Sequence, residues 1–247
     1  MSVSILTVTQ WARHRNLTLL NDMIRDQTYT DIAEWIIVEG SPTEAAARHN
    51  ANKVSKITNP KCRIRYIAWT YGQPLGALRQ AANDAAIADI RIVMDDDDYY
   101  PPTRVSHAVA CLLASEHRLA GCSSMLMYDY GARALYQFRE LGPNHSTSSC
   151  MAWKRTYDGI YDRDERVSDE YWFTQGFTQP MVQLDPCHAI VQSSHGTNTF
   201  SKKGLIETYV GKTIDGLDDD DVTTYIPAHY FAALVDLLQG HRPSISL

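Results

Sequence analysis

Four consecutive carboxylates, Asp95-Asp96-Asp97-Asp98, stand between an apolar run at 90–94 and Tyr99-Tyr100-Pro101. Carboxylates this close raise one another's pKa unless a cation lies among them. The run before them (IRIVM) reads as a buried strand, and ligands of open α/β sheets bind outside the carboxyl ends of strands. Hard oxygen donors at such a place suit Mg2+ or Mn2+, which in turn grip phosphates. A solvated acidic loop is the competing reading, and the abrupt step from buried strand to acid run weighs against it. A second acidic run, Asp218 to Asp221, follows Asp215-Gly216-Leu217. It lacks the alternating ligands and closing Glu of an EF-hand loop, so it reads as a solvated loop or a helix N-terminus. Gly211-Lys212-Thr213 is no phosphate loop, because Ile206 stands where that motif needs a glycine.

The elements that position the acid run follow from hydrophobic pattern. Val3 to Thr9 (VSILTVT) is short, apolar and β-branched, a buried strand. Residues 17–27 set Leu19, Leu20, Met23 and Ile24 at helical spacing, with Asn16 or Thr18 as cap. Residues 35–38 (WIIV) form a second strand closed by Gly40-Ser41-Pro42. Residues 43–54 read as helix, helped by Ala45, Ala46 and Ala47. A third strand at 64–67, an Ala-rich helix at 75–88 and a fourth strand at 90–94 complete the alternation. This order predicts an α/β fold with a mostly parallel central sheet flanked by helices. A helix at 104–116 follows Pro101-Pro102. From Gly121 the pattern is mixed. Strands are expected at 123–128, 134–138, 150–153, 182–183 and 189–192, and helices at 166–176 and 227–238. No internal repeat or low-complexity linker interrupts the chain.

The chain of 247 residues fits a single domain with a C-terminal extension, and can bury a sizeable core without staples. Its 44% hydrophobic and 21% charged residues are ordinary for a soluble globular protein. A net charge of -6 without a Lys/Arg run argues against nucleic acid as partner. An acidic protein that binds an anionic nucleotide needs a bridging cation or local basic groups. Five widely spaced cysteines with no CxxC pair exclude zinc-ribbon and thioredoxin motifs and suit reduced thiols in the cytosol. The N-terminus opens directly on a strand without a basic n-region, and no apolar run reaches the ~18 residues that span a bilayer. A soluble, cytoplasmic protein is expected.

Four motifs now line up. Gln27-Thr28-Tyr29 follows the first strand and helix, and Val38-Glu39-Gly40-Ser41 closes the second strand. Gly76, Arg79 and Asn83 share the third helix, and Asp95 to Asp98 end the fourth strand. In this order, over residues 1–105, the chain resembles the GT-A-fold glycosyltransferases, in particular family 2, whose strand-end acid motif is DxD. The chain also departs from that pattern. Val8-Thr9-Gln10-Trp11-Ala12-Arg13 replaces the family's Pro-Thr-Tyr-Asn-Arg, and Glu39-Gly40-Ser41 shortens its Asp-Asp-Gly-Ser.

The resemblance implies a glycosyltransferase that moves a sugar from a nucleotide-diphosphate sugar, UDP first, to a glycan hydroxyl with Mn2+ or Mg2+. Residues 1–105 would bind the nucleotide sugar, 106–210 the acceptor, and 211–247 would be a helical extension. Thr9, Gln10, Trp11 and Arg13 would line the nucleotide site, with Trp11 in place of the stacking aromatic. Glu39 would meet the uracil or ribose, Asp95 the ribose, and Arg79 would lie near the nucleotide. Asp97 would hold the metal, with Asp96 or Asp98 able to exchange roles, and His195 would complete its shell. Ser168-Asp169-Glu170-Tyr171-Trp172-Phe173 resembles the family's acidic pair ahead of an aromatic helix. Asp169 would be the general base of an inverting transfer, with Glu170 next and Asp162, Asp164 and Glu165 behind. An N-cap with a first-turn acid is the alternative for that pair. Asn144-His145-Ser146-Thr147 would face the donor sugar. Trp153, Tyr128, Tyr130 and Trp172 read as packing residues or a sugar platform. Two rival readings stay open. A nucleotidyltransferase calls for a Gly-rich loop after the first strand, where this chain has Gln10-Trp11-Ala12-Arg13. A non-catalytic nucleotide-sugar or glycan-binding module would keep the metal aspartates without needing Asp169 or Glu170.

Overall fold

The computed structural model describes residues 1–247 apart from 11–12, 42, 69–71, 199, 218–221 and 240–247. Trp11 and the second acidic run therefore lie outside the described residues. In the first half β1 (Val3–Thr9), α1 (His14–Asp26), β2 (Ile32–Glu39), α2 (Glu44–Val54), β3 (Arg63–Ala68), α3 (Leu75–Ala85) and β4 (Ile90–Val93) alternate as expected. β1 and β2 are buried almost throughout, the signature of parallel strands covered on both faces. One face takes Leu17, Leu20, Met23 and Ile24 of α1 against Val3, Ile5, Trp35 and Ile37. The other takes Leu78, Ala81 and Ala82 of α3 against Leu6, Ile36, Val38 and Val93. Each large apolar side chain buried this way contributes about 1.5–3 kcal/mol.

The second half carries α4 (Arg104–Ala114), β5 (Leu119–Gly121), β6 (Leu126–Asp129), β7 (Ala134–Phe138), β8 (Ala152–Lys154) and α5 (Asp169–Phe173). β9 (Met181–Gln183), α6 (Pro186–Ala189), β10 (Val191–Ser194), α7 (Lys202–Tyr209), β11 (Ile214–Leu217), α8 (Val222–Tyr225) and α9 (Ala228–Gln239) complete it. The main sheet has the order β3-β2-β1-β4-β8-β5-β9. β8 alone runs against its neighbours β4 and β5, so the other six strands share one direction. A smaller sheet has the order β10-β6-β7-β11. Among the described residues no helix is long and apolar enough to cross a membrane.

Three fastenings hold the acid run at the end of β4. Met94 N donates to Leu6 O at 3.0 Å, and the Thr7 hydroxyl donates to Met94 O at 2.6 Å. Buried Gln27 donates to Pro101 O at 3.0 Å and accepts from Val105 N at 3.0 Å, while Thr28 N donates to Pro102 O at 2.8 Å. The Gln-Thr turn thus anchors the chain just past the aspartates. Tyr99 and Val191 exchange backbone hydrogen bonds at 3.0 Å in both directions. That bridge ties the acid run to β10 and to the residues that follow it.

Several sequence expectations are corrected here. Residues 214–217 form β11, paired antiparallel with β7, so 211–247 is not simply a helical extension. β11, like β5 and α7, is too short or too polar to show a periodicity. The helix expected at 166–176 shrinks to Asp169–Phe173. Ser168 at φ 55° precedes it, and Gln175, Gly176 and Phe177 at φ 53°, 72° and 59° end it. A 3-10 turn at Ser148–Cys150 delays β8 to Ala152.

Gly76 sets how closely α3 approaches the segment that leads to α5. Its N–H donates to Glu165 O at 2.9 Å, and a Cβ there would lie 1.8 Å from Asp162 O. Gly76→Ala should therefore destabilise the protein by about 1–3 kcal/mol, although helix propensity alone would stabilise it by ~1 kcal/mol. Gly196, where a Cβ meets nothing within 4 Å, is the control. Urea midpoints check it, and a Gly76→Ala variant as stable as wild type would refute the close approach.

Candidate active site

Each aspartate of the run finds its own set of partners, with Arg13 shared by the middle two. Asp95 accepts both terminal nitrogens of Arg79 from α3, at 2.5 and 2.7 Å. Asp96 accepts from the Thr9 hydroxyl at 2.5 Å and from Arg13, just before α1, at 2.8 Å. Asp97 accepts from the same Arg13 nitrogen at 3.1 Å and faces His195 Nε2, just after β10, at 3.1 Å. Asp98 accepts from Ser193 N at 2.8 Å and lies 3.9 Å from Lys202 Nζ of α7. β1, α3, α7 and the segments at the start of α1 and the end of β10 converge on one strand end.

The charges divide accordingly. Burial alone would raise Asp97, but Arg13 and His195 hold its carboxyl far below the usual range. Burial wins at Asp96, pushed above the usual range despite Arg13, and at Asp98 despite Lys202. Arg79 is nine-tenths buried between Asp95 and Asp169. Burial would lower its pKa, and the two carboxylates overcome that and raise it.

Across the cleft stands the second acid pair. Asp169 accepts from Arg79 Nε at 3.2 Å and from the Ser148 hydroxyl at 2.6 Å. Arg79 thus bridges Asp95 and Asp169. Glu170 shares the wall without a cation of its own, and burial with the neighbouring Asp169 pushes its carboxyl up to about 7. The left-handed Ser168 directly precedes the pair, and strained backbone of this kind clusters at functional sites.

The cleft has a volume of about 810 Å³, and Gln10, Arg13, Arg79, Asp95 to Asp98, Asp169 and Glu170 all line it. Thr9 and Glu39 do not, which corrects their expected place against the nucleotide. Thr9 is buried beneath Asp96. Glu39 is fully buried, and its two oxygens accept from Ser41, Asn50 and Tyr66. Burial raises its pKa. Of the polar loop, His145, Ser146 and Thr147 reach the cleft. Trp153, Tyr128 and Tyr130 are buried packing residues. Trp172 is exposed, with its indole N–H donating to Glu165 at 3.1 Å. Asp162, Asp164 and Glu165 lie off the cleft wall. Sequence reasoning missed Lys202, Ser148 and Phe177. Lys202 sits on a helix with one buried residue, Ile206, so nothing in the pattern announced it.

Asp97 Oδ2 and His195 Nε2, 3.1 Å apart, could share one divalent ion. Among the described residues no group of three His, Cys, Asp or Glu side chains could hold a metal. Asp97 lines the cleft, whereas the His195 side chain is 1% exposed and lies behind it, off the cleft wall. Mg2+ or Mn2+, bound by one or two protein ligands plus phosphate oxygens and water, still fits such a pair.

A mostly parallel sheet, an acid run at the end of its fourth strand and an acid pair across the cleft define a GT-A fold. Residues 15–158 match Glycosyl transferase family 2, and the chain belongs to that family. No curated protein sequence matches the chain. Among solved structures it resembles S. aureus TarS 1-349, with TM-score 0.58 and 14% identity over 78% of this chain and 61% of that one. It also resembles the mannosyltransferase PcManGT from Pyrobaculum calidifontis in complex with GDP-Man and Mn2+, with TM-score 0.55 and 15% identity over 84% and 60%. Glucosyl-3-phosphoglycerate synthase from Mycobacterium tuberculosis, in complex with Mn2+, UDP and glucosyl-3-phosphoglycerate, gives TM-score 0.50 and 14% identity over 86% and 78%. These identities show the fold. The chain spans about three-fifths of the length of TarS 1-349 and PcManGT.

Removing Arg79 would strand two carboxylates with little access to water. Arg79→Met should cost about 3–5 kcal/mol in urea unfolding at neutral pH. Adding Asp169→Asn should recover part of that loss. Equal stability of wild type and Arg79→Met would show that the bridge contributes nothing.

Proposed function

We propose that the chain is a metal-dependent glycosyltransferase that moves a sugar from a nucleotide-diphosphate sugar, UDP-linked in the first instance, to a hydroxyl of a glycan acceptor. One observation carries the reading: the acid run at the end of β4 and the acid pair of α5 share a cleft and are bridged by Arg79. Asp97 and His195 would hold Mn2+ or Mg2+, which when bound offsets the charge of the departing diphosphate. With such an ion, and with Arg13 lining the cleft, the site suits a diphosphate, and the neighbours crystallised with UDP or GDP-Man are consistent with it.

The two acids of α5 divide the remaining work. Asp169 is committed to Arg79 and Ser148, so it orients the guanidinium that also grips Asp95. Glu170 lacks such a cation and its carboxyl is pushed up to about 7, where a general base works best at neutral pH. We assign Glu170 as the base: it takes the acceptor hydroxyl proton as that oxygen attacks the anomeric carbon and the diphosphate leaves, an inverting displacement. This reverses the order expected from sequence, where Asp169 came first. Phe177, stacked on His145 at 4.4 Å between ring centres and 14°, gives the cleft an apolar face suited to a sugar ring.

Calorimetry of UDP with and without Mn2+ tests the donor site. Wild type should bind UDP with Mn2+, and Asp97→Ala should lose the metal-dependent part. Failure of UDP and of other nucleoside diphosphates to bind would remove the central claim.

Glu170→Gln should retain UDP binding and lose at least about 10²-fold in kcat. The raised pKa fixes the sign of the pH dependence. The carboxylate is the active form, so kcat/KM should fall as pH drops below about 7 and level above it. A Glu170→Gln variant as active as wild type would return the role to Asp169.

A further inference from the structure

We propose that Arg13 stands in for the divalent ion while the site holds no metal, and gives up the place when a nucleoside diphosphate arrives. Metal and nucleotide then enter as a pair. The inference rests on the donor site proposed above and adds the residue that couples its two ligands.

One nitrogen of Arg13 lies 2.8 Å from Asp96 Oδ1 and 3.1 Å from Asp97 Oδ2. The other donates to Thr197 O at 3.1 Å, in the loop that carries His195. The guanidinium therefore closes the same edge, between the acid run and the loop after β10, that Asp97 and His195 offer to a metal. The Arg13 side chain is 18% exposed, against 1% for Asp96 and 13% for Asp97, so it caps the pair from the cleft side. Arg79 and Lys202 are placed differently. Each faces an aspartate at an outer end of the run, Asp95 or Asp98, and neither forms an ion pair with Asp97.

The physical consequence is competition. A divalent ion at Asp97 and His195 would stand beside a guanidinium bonded to the same carboxylate, and like charges repel. Asp97, already neutralised by Arg13, has little to offer the incoming ion. Arg13 lines the cleft, so a diphosphate there supplies a second anion with the forked geometry that guanidinium groups prefer. Drawing Arg13 onto that anion frees Asp97 at the moment when phosphate oxygens become available to complete the ion's shell. Linkage makes the effect reciprocal: whatever nucleotide adds to metal affinity, metal adds to nucleotide affinity.

Free Mn2+ measured by electron paramagnetic resonance reads this without any turnover. Mn2+ is titrated into wild type, Arg13→Gln and Arg13→Lys, each with and without UDP. Wild type should bind Mn2+ weakly alone and more tightly with UDP. Arg13→Gln should bind Mn2+ alone about tenfold more tightly than wild type, a coupling of ordinary size. Its ratio of affinities with and without UDP should shrink by at least that factor. Arg13→Lys, which keeps a cation, should stay near wild type. Arg13→Met is the second neutral variant if Arg13→Gln fails to fold in a thermal melt. The proposal is overturned if the neutral variants bind Mn2+ alone no tighter than wild type, or keep the full dependence on UDP. If UDP binds none of these proteins, the donor reading falls, while the Mn2+ affinities without UDP still decide whether Arg13 holds the metal's place.

Discussion

Four adjacent carboxylates at the end of a buried strand repel one another, and burial alone would drive them to protonate. The fold answers with basic groups drawn from both halves of the chain. Arg79 comes from α3, Arg13 from the start of α1, His195 from the loop after β10 and Lys202 from α7. Arg13, Arg79 and the 195–202 segment lie far apart in sequence, so neutralising the acid run requires the tertiary fold to be in place. The smaller sheet matters for the same reason. β6, β7 and β11 hold β10 in register, and the Tyr99–Val191 bridge sets β10 against the run. His195 and Lys202 then reach Asp97 and Asp98 from a direction the first half cannot supply.

Within that frame the four aspartates are chemically unequal although they are identical in sequence. Asp97, with two basic neighbours, is held far below the usual range, and a permanently ionised oxygen is what a metal ligand needs. Asp96 and Asp98 are held toward protonation, which keeps the net charge of the metal-free cleft low. The same logic separates Asp169 from Glu170. The first is bonded to the Arg79 guanidinium, while burial and the neighbouring Asp169 push the second up to about 7. Partner geometry, and not residue type, sets these differences.

The sequence disclosed the element order of the first half throughout and that of the second half in part, including α4, β7 and α9. The alternation from β1 to β4 was legible because each strand is a continuous apolar run and each helix has an apolar stripe. The acid run was legible because it breaks such a strand so abruptly. Asp169, Glu170 and His195 were singled out by resemblance; the first two line the cleft, and His195 lies behind Asp97, off its wall. Glu39 and Thr9 were misplaced, since a strand-end side chain can turn into the core as readily as toward the ligand. Glu39 turns inward onto Asn50 and Tyr66, partners 11 and 27 residues away that no local pattern connects to it. In the second half, strands of three or four residues and a helix of five are too short to carry a clear hydrophobic period.

That brevity has a functional side. A catalytic acid on a long helix would be fixed by the helix. Asp169 and Glu170 stand on a single turn opened by a left-handed serine and closed by three left-handed residues. Their positions are instead set by tertiary contacts: Ser148 and Arg79 on Asp169, and Gly76 against the 162–165 segment. Thr174 accepts from Phe177 N at its hydroxyl and from Thr178 N and Gln179 N at its carbonyl, which holds the strained turn in shape. A short element fixed in this way keeps both carboxylates at a set place relative to the acid run. The parallel half is equally constrained, because moving β4 would move all four aspartates away from the basic groups that the rest of the fold supplies.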